Sequence, residues 1–511
     1  MKEVVILEES DCVKTSCTLL TKFCKLWHHR EENEMRYVEG YDRKQQLLLP
    51  ESIEEYITTD NPVRFIEAYI DGLDMAKLGF RYAVTEATGR KPYDPADLLK
   101  LYLYGYLNKT RSSRQLEKAT YRNLELIWLL RKLHPDHKTI ADFRKDNTQA
   151  LKKVCREFTL LCHNLKLFGG ELIAIDGSKF SAVNHNSRSF TKKKLQALLK
   201  EIDDKIAAYL TGLDQQDQVE TKIPGVTAKG LQEKITQLKA HKTEVEKLQA
   251  ELEASGETQI SLTDPDSRLM QTAAFGTDVC YNVQIVTDAK HKLIVTHEVT
   301  HDHNDRNQLS HMATQAKEIL GVETIEATAD TGYFKKEEIK QCQDQNITCY
   351  VPLPENSSNQ KRGLFTEQDF RYDATEDCYR CPAQQVLTYR GSADKDDLQV
   401  RVYEGVACKT CALRSRCTES KRNNRRIYRW VHEAVLEELR QRLAQNPDKV
   451  KKRGHMVEHP FGTLKHTMDF GYFLMRGFEK VSAEMSLSVL AYNLKRVLNI
   501  LGVKELLRVL A

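Results

Sequence analysis

The sequence lacks long hydrophobic runs. It nowhere contains about 18 consecutive apolar residues, the length that a membrane-spanning helix requires. The N-terminus also lacks the basic segment and apolar core of a secretory signal. We therefore expect a cytoplasmic protein without membrane spans. At 511 residues, 41% of them hydrophobic, the chain is long enough for several domains with buried cores.

The sequence also carries no large net charge. The formal charge of +4 is too small to indicate a nucleic-acid partner by itself. The basic residues are unevenly distributed, however, and two clusters without acidic residues stand out. They consist of Lys421, Arg422, Arg425, Arg426 and Arg429, and of Lys449, Lys451, Lys452 and Arg453. A basic run is often only a solvated surface, but these clusters precede a candidate metal ligand, Glu458, and favour DNA.

A disulfide framework is not expected, because 13 cysteines are scattered over a long chain without a secretory signal. Two C-x2-C pairs stand about 26 residues apart, Cys378 with Cys381 and Cys408 with Cys411. Four thiolates at such spacing are typical of tetrahedral Zn²⁺. Cys417 is a fifth candidate, which replaces one of the four or stays free.

Four thiolates leave no open coordination position, so the zinc would be structural. We expect it to hold a cysteine-rich insert at residues 376–430 that is too short for a hydrophobic core of its own. Reduced, buried cysteines without metal are the alternative interpretation.

The N-terminal third predicts helices. Residues 1–34 show no clear periodicity and no zinc-module spacing, so we interpret them as an extension. In residues 35–165, helix starts are indicated at Asp94–Pro95, at a capping box Ser112–Gln115 and at Thr139–Asp142. Basic residues between these helices indicate docking on a DNA duplex, with a plain packing domain as the alternative. They are Arg111, Arg114, Arg122, Arg131, Lys132 and Lys138.

Residues 190–255 predict an inserted helical hairpin, because two segments with apolar residues at helical spacing flank a stretch with Gly212, Pro224 and Gly225. Such an arm suits a dimer or DNA contact. After it, the runs 278–287 and 292–300 predict a β-hairpin.

Three acidic residues are the candidate catalytic groups. Asp176 follows the apolar run 172–175 and precedes a predicted turn at Gly177. After a helix at 305–320, the strand 324–329 precedes Asp330 and a turn at Gly332. An aspartate after a strand is commonly only a turn former. Glu458 is expected to open a helix, within whose first turn Pro460 is tolerated.

Lys465, seven residues after Glu458, would then lie two turns along the same helix face. Three carboxylates that converge are suited to Mg²⁺ or Mn²⁺ and to phosphoryl transfer. The cluster His301, Asp302 and His303 is interpreted as surface polar residues.

In their order along the chain, several segments resemble one family, the DDE transposases of bacterial insertion sequences, and within it the group eleven-eighty-two. The resemblance extends from about Met35 to the C-terminus. Its segments are LLPESIEEYI, the helical block 94–147, AIDGSKF, LTDPDSRLM, ADTGY, the cysteine-rich insert and VEHPFGTLK.

The resemblance implies an α/β protein with an RNase H-like catalytic core at residues 168–511. Its N-terminal helical domain would bind DNA, and the helical hairpin and zinc insert would interrupt the core. It implies that water cuts double-stranded DNA at the inverted-repeat ends of the element, after which the freed 3′-OH attacks target DNA. A homodimer would join the two ends.

Related transposases place an arginine four residues before the glutamate and a lysine seven after it. Lys465 fits as a phosphate contact, whereas Arg453 stands five residues before Glu458. Two alternatives remain: an RNase H-like nuclease or resolvase, and a zinc-stabilised DNA-binding protein without catalysis.

Overall fold

The computed structural model describes residues 52–84, 91–218, 228–272, 276–354, 362–420 and 424–510. The predicted extension 1–34 lies outside these residues. The chain divides into two compact units between Tyr56 and Ile57. The described part of the first unit contains a single 3₁₀ turn, Ile53–Tyr56. Everything below concerns the second unit.

Short helices precede the first strand of the second unit. They are α1 (Pro62–Asp71), α2 (Met75–Leu78), α3 (Pro95–Leu107), α4 (Ser113–Thr120), α5 (Leu124–Leu129), α6 (His137–Asp146) and α7 (Thr148–Asn164).

The predicted start of α3 is confirmed, since Asp94 caps it and Pro95 is its first residue. Ser112 precedes α4 as expected but makes no side-chain cap bond. The predicted start at Thr139 is wrong. Asp136 accepts hydrogen bonds from the backbone N–H groups of Lys138 and Thr139, so α6 begins two residues earlier.

A mixed sheet forms the centre of the unit. Its strands are β1 (Leu172–Ser181), β4 (Arg268–Thr272), β5 (Gly276–Asp288), β6 (Ile294–Thr300), β7 (Ile325–Thr328) and β8 (Ile347–Tyr350). The order is β4-β5-β1-β7-β8, with β6 also paired to β5. β5 and β6 form the predicted antiparallel hairpin. β1 is antiparallel to β5 and parallel to β7, and β7 is parallel to β8.

The predicted end of β1 is wrong. The strand does not turn at Gly177 but continues to Ser181, because its pairing with β5 extends to Ser181 opposite Cys280. Asp176 therefore lies within a strand and not after one.

The helices around the sheet include α10 (Leu309–Leu320), α11 (Lys336–Asp344), α13 (Glu433–Gln445), α14 (Pro447–Gly462), α15 (Phe478–Leu501) and α16 (Val503–Leu510), with the short α12 (Arg414–Cys417) among the cysteines. α10 begins four residues later than expected. α15 packs against α3, α7 and β6, so one hydrophobic core extends from the N-terminal helices to the sheet. No helix in the described ranges is long and apolar enough to cross a membrane.

The predicted helical arm consists of α8 (Lys192–Gln218) and α9 (Ala228–Ser255). The short strands β2 (Ser189–Thr191) and β3 (Gln259–Ser261) pair at its base. Its seam is a separate hydrophobic cluster that contains Leu195, Ile202, Val245 and Leu252.

A second antiparallel sheet lies between β8 and α13. Its order is β13-β12-β11-β10-β9, with β9 (Arg371–Asp373), β10 (Cys378–Arg380), β11 (Val386–Lys395), β12 (Leu398–Gly405) and β13 (Arg426–Trp430). The expectation that the cysteine-rich insert lacks a core is wrong. Phe370, Tyr379, Leu387, Tyr403 and Ile427 form a buried cluster of their own.

Candidate active site

The strand pairing brings Asp176 and Asp330 to neighbouring positions. β1 and β7 are parallel, with Ala174 opposite Thr328. Asp176 lies two residues after Ala174, and Asp330 lies two residues after Thr328. Because alternate residues of a strand share a face, Asp176 projects on the same side of β1 as Leu172 and Ala174. Long-range pairing thus places together two aspartates that are 154 positions apart in the sequence.

The environment of Asp176 is partly buried and rich in charge. Burial raises the pKa of its carboxyl to about 6; Arg453 opposes this rise and Asp330 contributes to it. Nη1 of Arg453 lies 3.2 Å from Oδ1 of Asp176. One guanidinium therefore balances part of the negative charge of the acid pair.

Asp330 also fixes the backbone that follows it. Its Oδ1 accepts a hydrogen bond of 2.8 Å from the N–H of Gly332, which starts the 3₁₀ turn Thr331–Tyr333. The predicted turn at Gly332 is therefore confirmed. The capping bond uses Oδ1 and fixes the orientation of the carboxylate.

Glu458 lies on α14, but not where the sequence predicts. The helix starts at Pro447, so Glu458 and Pro460 belong to its last turns. The prediction that a helix begins at Glu458 is wrong, because the helix already begins at Pro447, after Asn446, and continues through Pro460. Met456 and Val457 pack on Leu172 and Ala174, which holds α14 against the strand that carries Asp176.

The Glu458 side chain is exposed and lies back along its own helix. A Cβ on Gly454 would stand 3.2 Å from its Oε1. Within the described ranges, no three or more His, Cys, Asp or Glu side chains are arranged as a metal site. The structure thus brings together Asp176, Asp330 and Arg453, while Glu458 stands apart from the pair.

Lys465 does not continue the helix face of Glu458, because residues Thr463–Thr467 form a π-helical turn. Its Nζ donates to Oγ of Ser178 and to the carbonyl of Lys179, both at 2.6 Å. It also lies over the ring of Phe180. Burial lowers the pKa of this ammonium. The lysine predicted to contact DNA thus joins the turn to β1.

Sequence reasoning missed three residues near the acid pair: Gln284 on β5, Asp305 after β6, and Tyr333 in the turn after Asp330. Gln284 and Tyr333 are fully buried. Asp305 follows the His301–His303 stretch, which forms hydrogen-bonded loop structure: Asp302, for instance, accepts a bond from Gln308. Tyr333 lies in the ADTGY segment, which was the one available signal.

The basic cluster of the insert is only partly described, since Lys421 and Arg422 lie outside the described residues. Arg425 donates to the carbonyls of Cys417 and Phe365. Arg426 pairs with Glu404 at 3.0 Å and is half-exposed. Arg425 is therefore engaged within the insert, whereas Arg426 remains at the surface.

The basic residues predicted between the N-terminal helices differ in their exposure. Arg111 is buried and donates to the carbonyls of Asp469 and Tyr472, so its predicted place on a DNA-facing surface is wrong. The others are exposed, and Arg131 among them pairs with Asp97 at 2.8 Å.

Four cysteines share one small cavity in the insert. Cys381, Cys408, Cys411 and Cys417 line a volume of about 30 Å³. Burial raises the pKa of the Cys417 thiol, and the other three cysteines contribute. Cys378 does not line this cavity; its Sγ lies 3.7 Å from Oε2 of Glu376.

Two family models match the chain. "Transposase domain (DUF772)" matches residues 51–146, and "Transposase DDE domain" matches residues 380–498, which include Arg453, Glu458 and Lys465. A solved structure, "Cryo-EM structure of piggyBac transposase synaptic complex with hairpin DNA (SNHP)", is similar at 10% identity over 89% of this chain and 80% of that chain. Its TM-score of 0.29 is too low to support an argument. No curated protein matches.

Proposed function

The chain is a transposase of the DDE type, and from this premise we propose that it cuts the inverted-repeat ends of an insertion sequence and joins them to target DNA. Asp176, Asp330 and Glu458 would be its metal ligands. The observation that carries this proposal is the juxtaposition of Asp176 on β1 and Asp330 just after the parallel neighbouring strand β7.

The central sheet supports an RNase H-like core. Three antiparallel strands, β6, β5 and β1, are followed by the parallel strands β7 and β8. Asp176 stands on β1 and Asp330 follows β7, in the order that the resemblance implies. The group within the insertion-sequence transposases remains a proposal.

The acid pair is chemically suited to Mg²⁺ or Mn²⁺, which prefer carboxylate oxygens. Burial raises the pKa of Asp176 to about 6, and Asp330 adds to the rise, so a further cation beside the pair would be stabilising. Divalent ions at such sites stabilise the attacking and leaving oxygens of a phosphodiester. Glu458 would complete the ligand set from α14, which Met456 and Val457 hold against β1.

Arg453 would have two roles. Its guanidinium balances the charge of Asp176 at 3.2 Å. A planar guanidinium also donates paired hydrogen bonds to phosphate, so Arg453 can orient the scissile group beside the acid pair. Water is the first nucleophile and the freed 3′-OH the second, and neither step needs a covalent protein intermediate.

The test compares Asp176→Asn, Asp330→Asn and Glu458→Gln with Asp344→Asn, an exposed acid on α11 that pairs with Lys340. We expect the first three to abolish Mg²⁺-dependent cleavage of labelled end DNA, since each loses a ligand charge, while end binding in Ca²⁺ persists. Asp344→Asn should cleave normally.

Full cleavage by any of the three variants would remove that residue from the site. Cleavage by the unsubstituted protein without strand transfer would indicate the alternative, a nuclease or resolvase. DNA binding without any cleavage would indicate a DNA-binding protein.

For the insert we propose a structural Zn²⁺ held by Cys381, Cys408, Cys411 and Cys417. Their common cavity supports this set, and Cys378, whose Sγ lies 3.7 Å from Oε2 of Glu376, does not line that cavity. Four thiolates suit tetrahedral zinc.

The zinc proposal predicts one zinc per chain in protein purified without added metal. Cys378→Ser should retain it, whereas Cys381→Ser should lose it and lower the thermal midpoint. Elemental analysis decides: loss of zinc from Cys378→Ser, or its absence from the unsubstituted protein, would contradict the assignment.

For the DNA partner, we propose that double-stranded ends bind along the exposed basic residues of α4 to α6. Arg131 pairs with Asp97, and Lys145 lies near Asp142 and Asp146, while Arg114, Arg122, Lys132 and Lys138 add exposed positive charge for phosphate. Arg426, Lys421, Arg422 and Lys465 are further proposed contacts. A homodimer that joins two ends remains part of this proposal.

A further inference from the structure

Gln284 occupies a special position beneath the acid pair. It lies on β5 directly opposite Gly177, the residue that follows Asp176. The side chain is fully buried although it is polar. Burial of an amide is costly unless its donor and acceptor are both satisfied, so its partners define its role.

Both ends of the Gln284 amide have partners on other segments. Its Nε2 donates to Oδ1 of Asp305 at 2.6 Å. Its Oε1 accepts a hydrogen bond from the hydroxyl of Tyr333. Because Tyr333 donates and Asp305 accepts, the amide has one orientation only. Gln284 therefore connects the turn after Asp330 to the loop after β6.

The loop end of this connection is itself held in place. Oδ1 of Asp305 also accepts from Nδ2 of Asn282 at 2.7 Å, and the ammonium of Lys179 lies 3.8 Å from it. Asp305 is thus attached to β5 through two amides and to β1 through a charge. These contacts hold the Asp305 carboxylate in one position.

The connection passes directly across the backbone beside Asp176. A Cβ at Gly177 would lie 2.3 Å from Nε2 of Gln284 and 2.7 Å from Oδ1 of Asp305. Any side chain at Gly177 would displace this hydrogen-bonded pair. Three chain segments, at Gly177, Tyr333 and Asp305, consequently meet at one amide.

We propose that Gln284 is a positioning residue for the metal site: with Tyr333 and Asp305 it fixes the separation of the Asp176 and Asp330 carboxylates before a cation binds. The inference rests on the proposed function. Gln284 itself is not proposed to contact the substrate. Its effect is to hold β1 and the turn after Asp330 at one spacing, so that little reorganisation accompanies binding.

The test uses the full chain without DNA and measures Mn²⁺ affinity from the electron paramagnetic resonance signal of free Mn²⁺. The variants are Tyr333→Phe, which removes one hydroxyl, and Gln284→Met, which keeps the side-chain length but removes both hydrogen bonds. Loss of an outer hydrogen-bonded partner typically weakens metal binding about 10- to 100-fold, and we expect that range.

The matched control is Tyr350→Phe. Tyr350 is also buried in this sheet, and its hydroxyl donates to Glu326 on β7 rather than to the acid-pair network. It should leave Mn²⁺ affinity unchanged. Thermal unfolding midpoints measured in the presence of a chelator show whether a variant is folded before metal binds. Tyr333→Phe keeps the aromatic ring, so we expect it to remain folded.

The results distinguish the inference from the function on which it rests. Unchanged Mn²⁺ affinity in folded Tyr333→Phe and Gln284→Met, with affinity lost in Asp176→Asn and Asp330→Asn, would overturn the positioning role alone. Mn²⁺ affinity that is unaffected by Asp176→Asn and Asp330→Asn would overturn the proposed metal site itself. A shift in the Mn²⁺ concentration for half-maximal cleavage, with the maximal rate preserved, is the expected kinetic counterpart.

Discussion

Gly177 shows how one residue limits the active site. It needs no unusual backbone conformation, since it lies within a regular strand opposite Gln284. What it provides is space, because the Gln284 amide and the Asp305 carboxylate occupy the volume that a Cβ would take. A glycine inside a strand often marks such a close approach.

Gly177→Ala should lower the free energy of unfolding by about 1 to 3 kcal/mol, the usual cost of overpacking, and should reduce cleavage. Denaturant unfolding measures the first effect. The control is Gly462→Ala in α14, where a Cβ would meet nothing within 4 Å. That substitution should stabilise by about 0.5 to 1 kcal/mol, because alanine is the better helix former. Equal effects of the two substitutions would contradict this explanation.

At the scale of elements, α14 and the π-helical turn after it carry Glu458 and Lys465. Pro460 stands inside α14 and has no N–H to donate to the carbonyl of Met456. The helix nevertheless continues, and the wider turn Thr463–Thr467 follows. Lys465 fastens this turn to β1 through Ser178 and Lys179.

Lys465→Met should therefore lower the free energy of unfolding by about 1 to 3 kcal/mol, since partly buried acceptors on β1 lose a charged donor. Lys452→Met is the control; it removes the same charge from an exposed position of α14. Thermal unfolding at two salt concentrations measures both. An equal loss of stability in the two variants would contradict the structural role of Lys465 and leave only its predicted role as a phosphate contact.

For the whole molecule, a buried charge joins the N-terminal helices to the core. Glu484 on α15 is fully buried and lies 3.6 Å from Arg111 and 3.9 Å from Arg144. It also accepts the backbone N–H groups of Leu474 and Met475. Because Arg144 belongs to α6 and Arg111 to the loop between α3 and α4, the N-terminal helices and the sheet should unfold together.

Glu484→Gln should cost about 3 to 5 kcal/mol, as removal of one partner leaves buried arginine charge uncompensated. Calorimetry should show one transition at a lower temperature. Glu479→Gln is the control, an exposed carboxylate on the same helix that should cost less than about 1 kcal/mol. Separate transitions for the helices and the sheet would contradict the predicted coupling.

The sequence by itself determined much of the local structure and the family. Asp94–Pro95 starts α3, two apolar stripes form the helical arm, and two runs rich in Val, Ile, Tyr and Thr around a polar turn form the β5–β6 hairpin. The turn after Asp330 and the transposase motifs were also recognisable. These features depend on preferences within a few residues, and such preferences are present in the sequence before the chain folds.

Only the tertiary structure decided the features that depend on distant partners. β1 continues through Gly177 because β5 pairs with it, and Arg111 is buried because Glu484 and the 469–472 carbonyls receive it. The convergence of Gln284, Tyr333 and Asp305 likewise has no local signal. The physical reason is common to all: hydrogen-bond partners and burial are set by residues far apart in the chain, whose proximity no local spacing encodes.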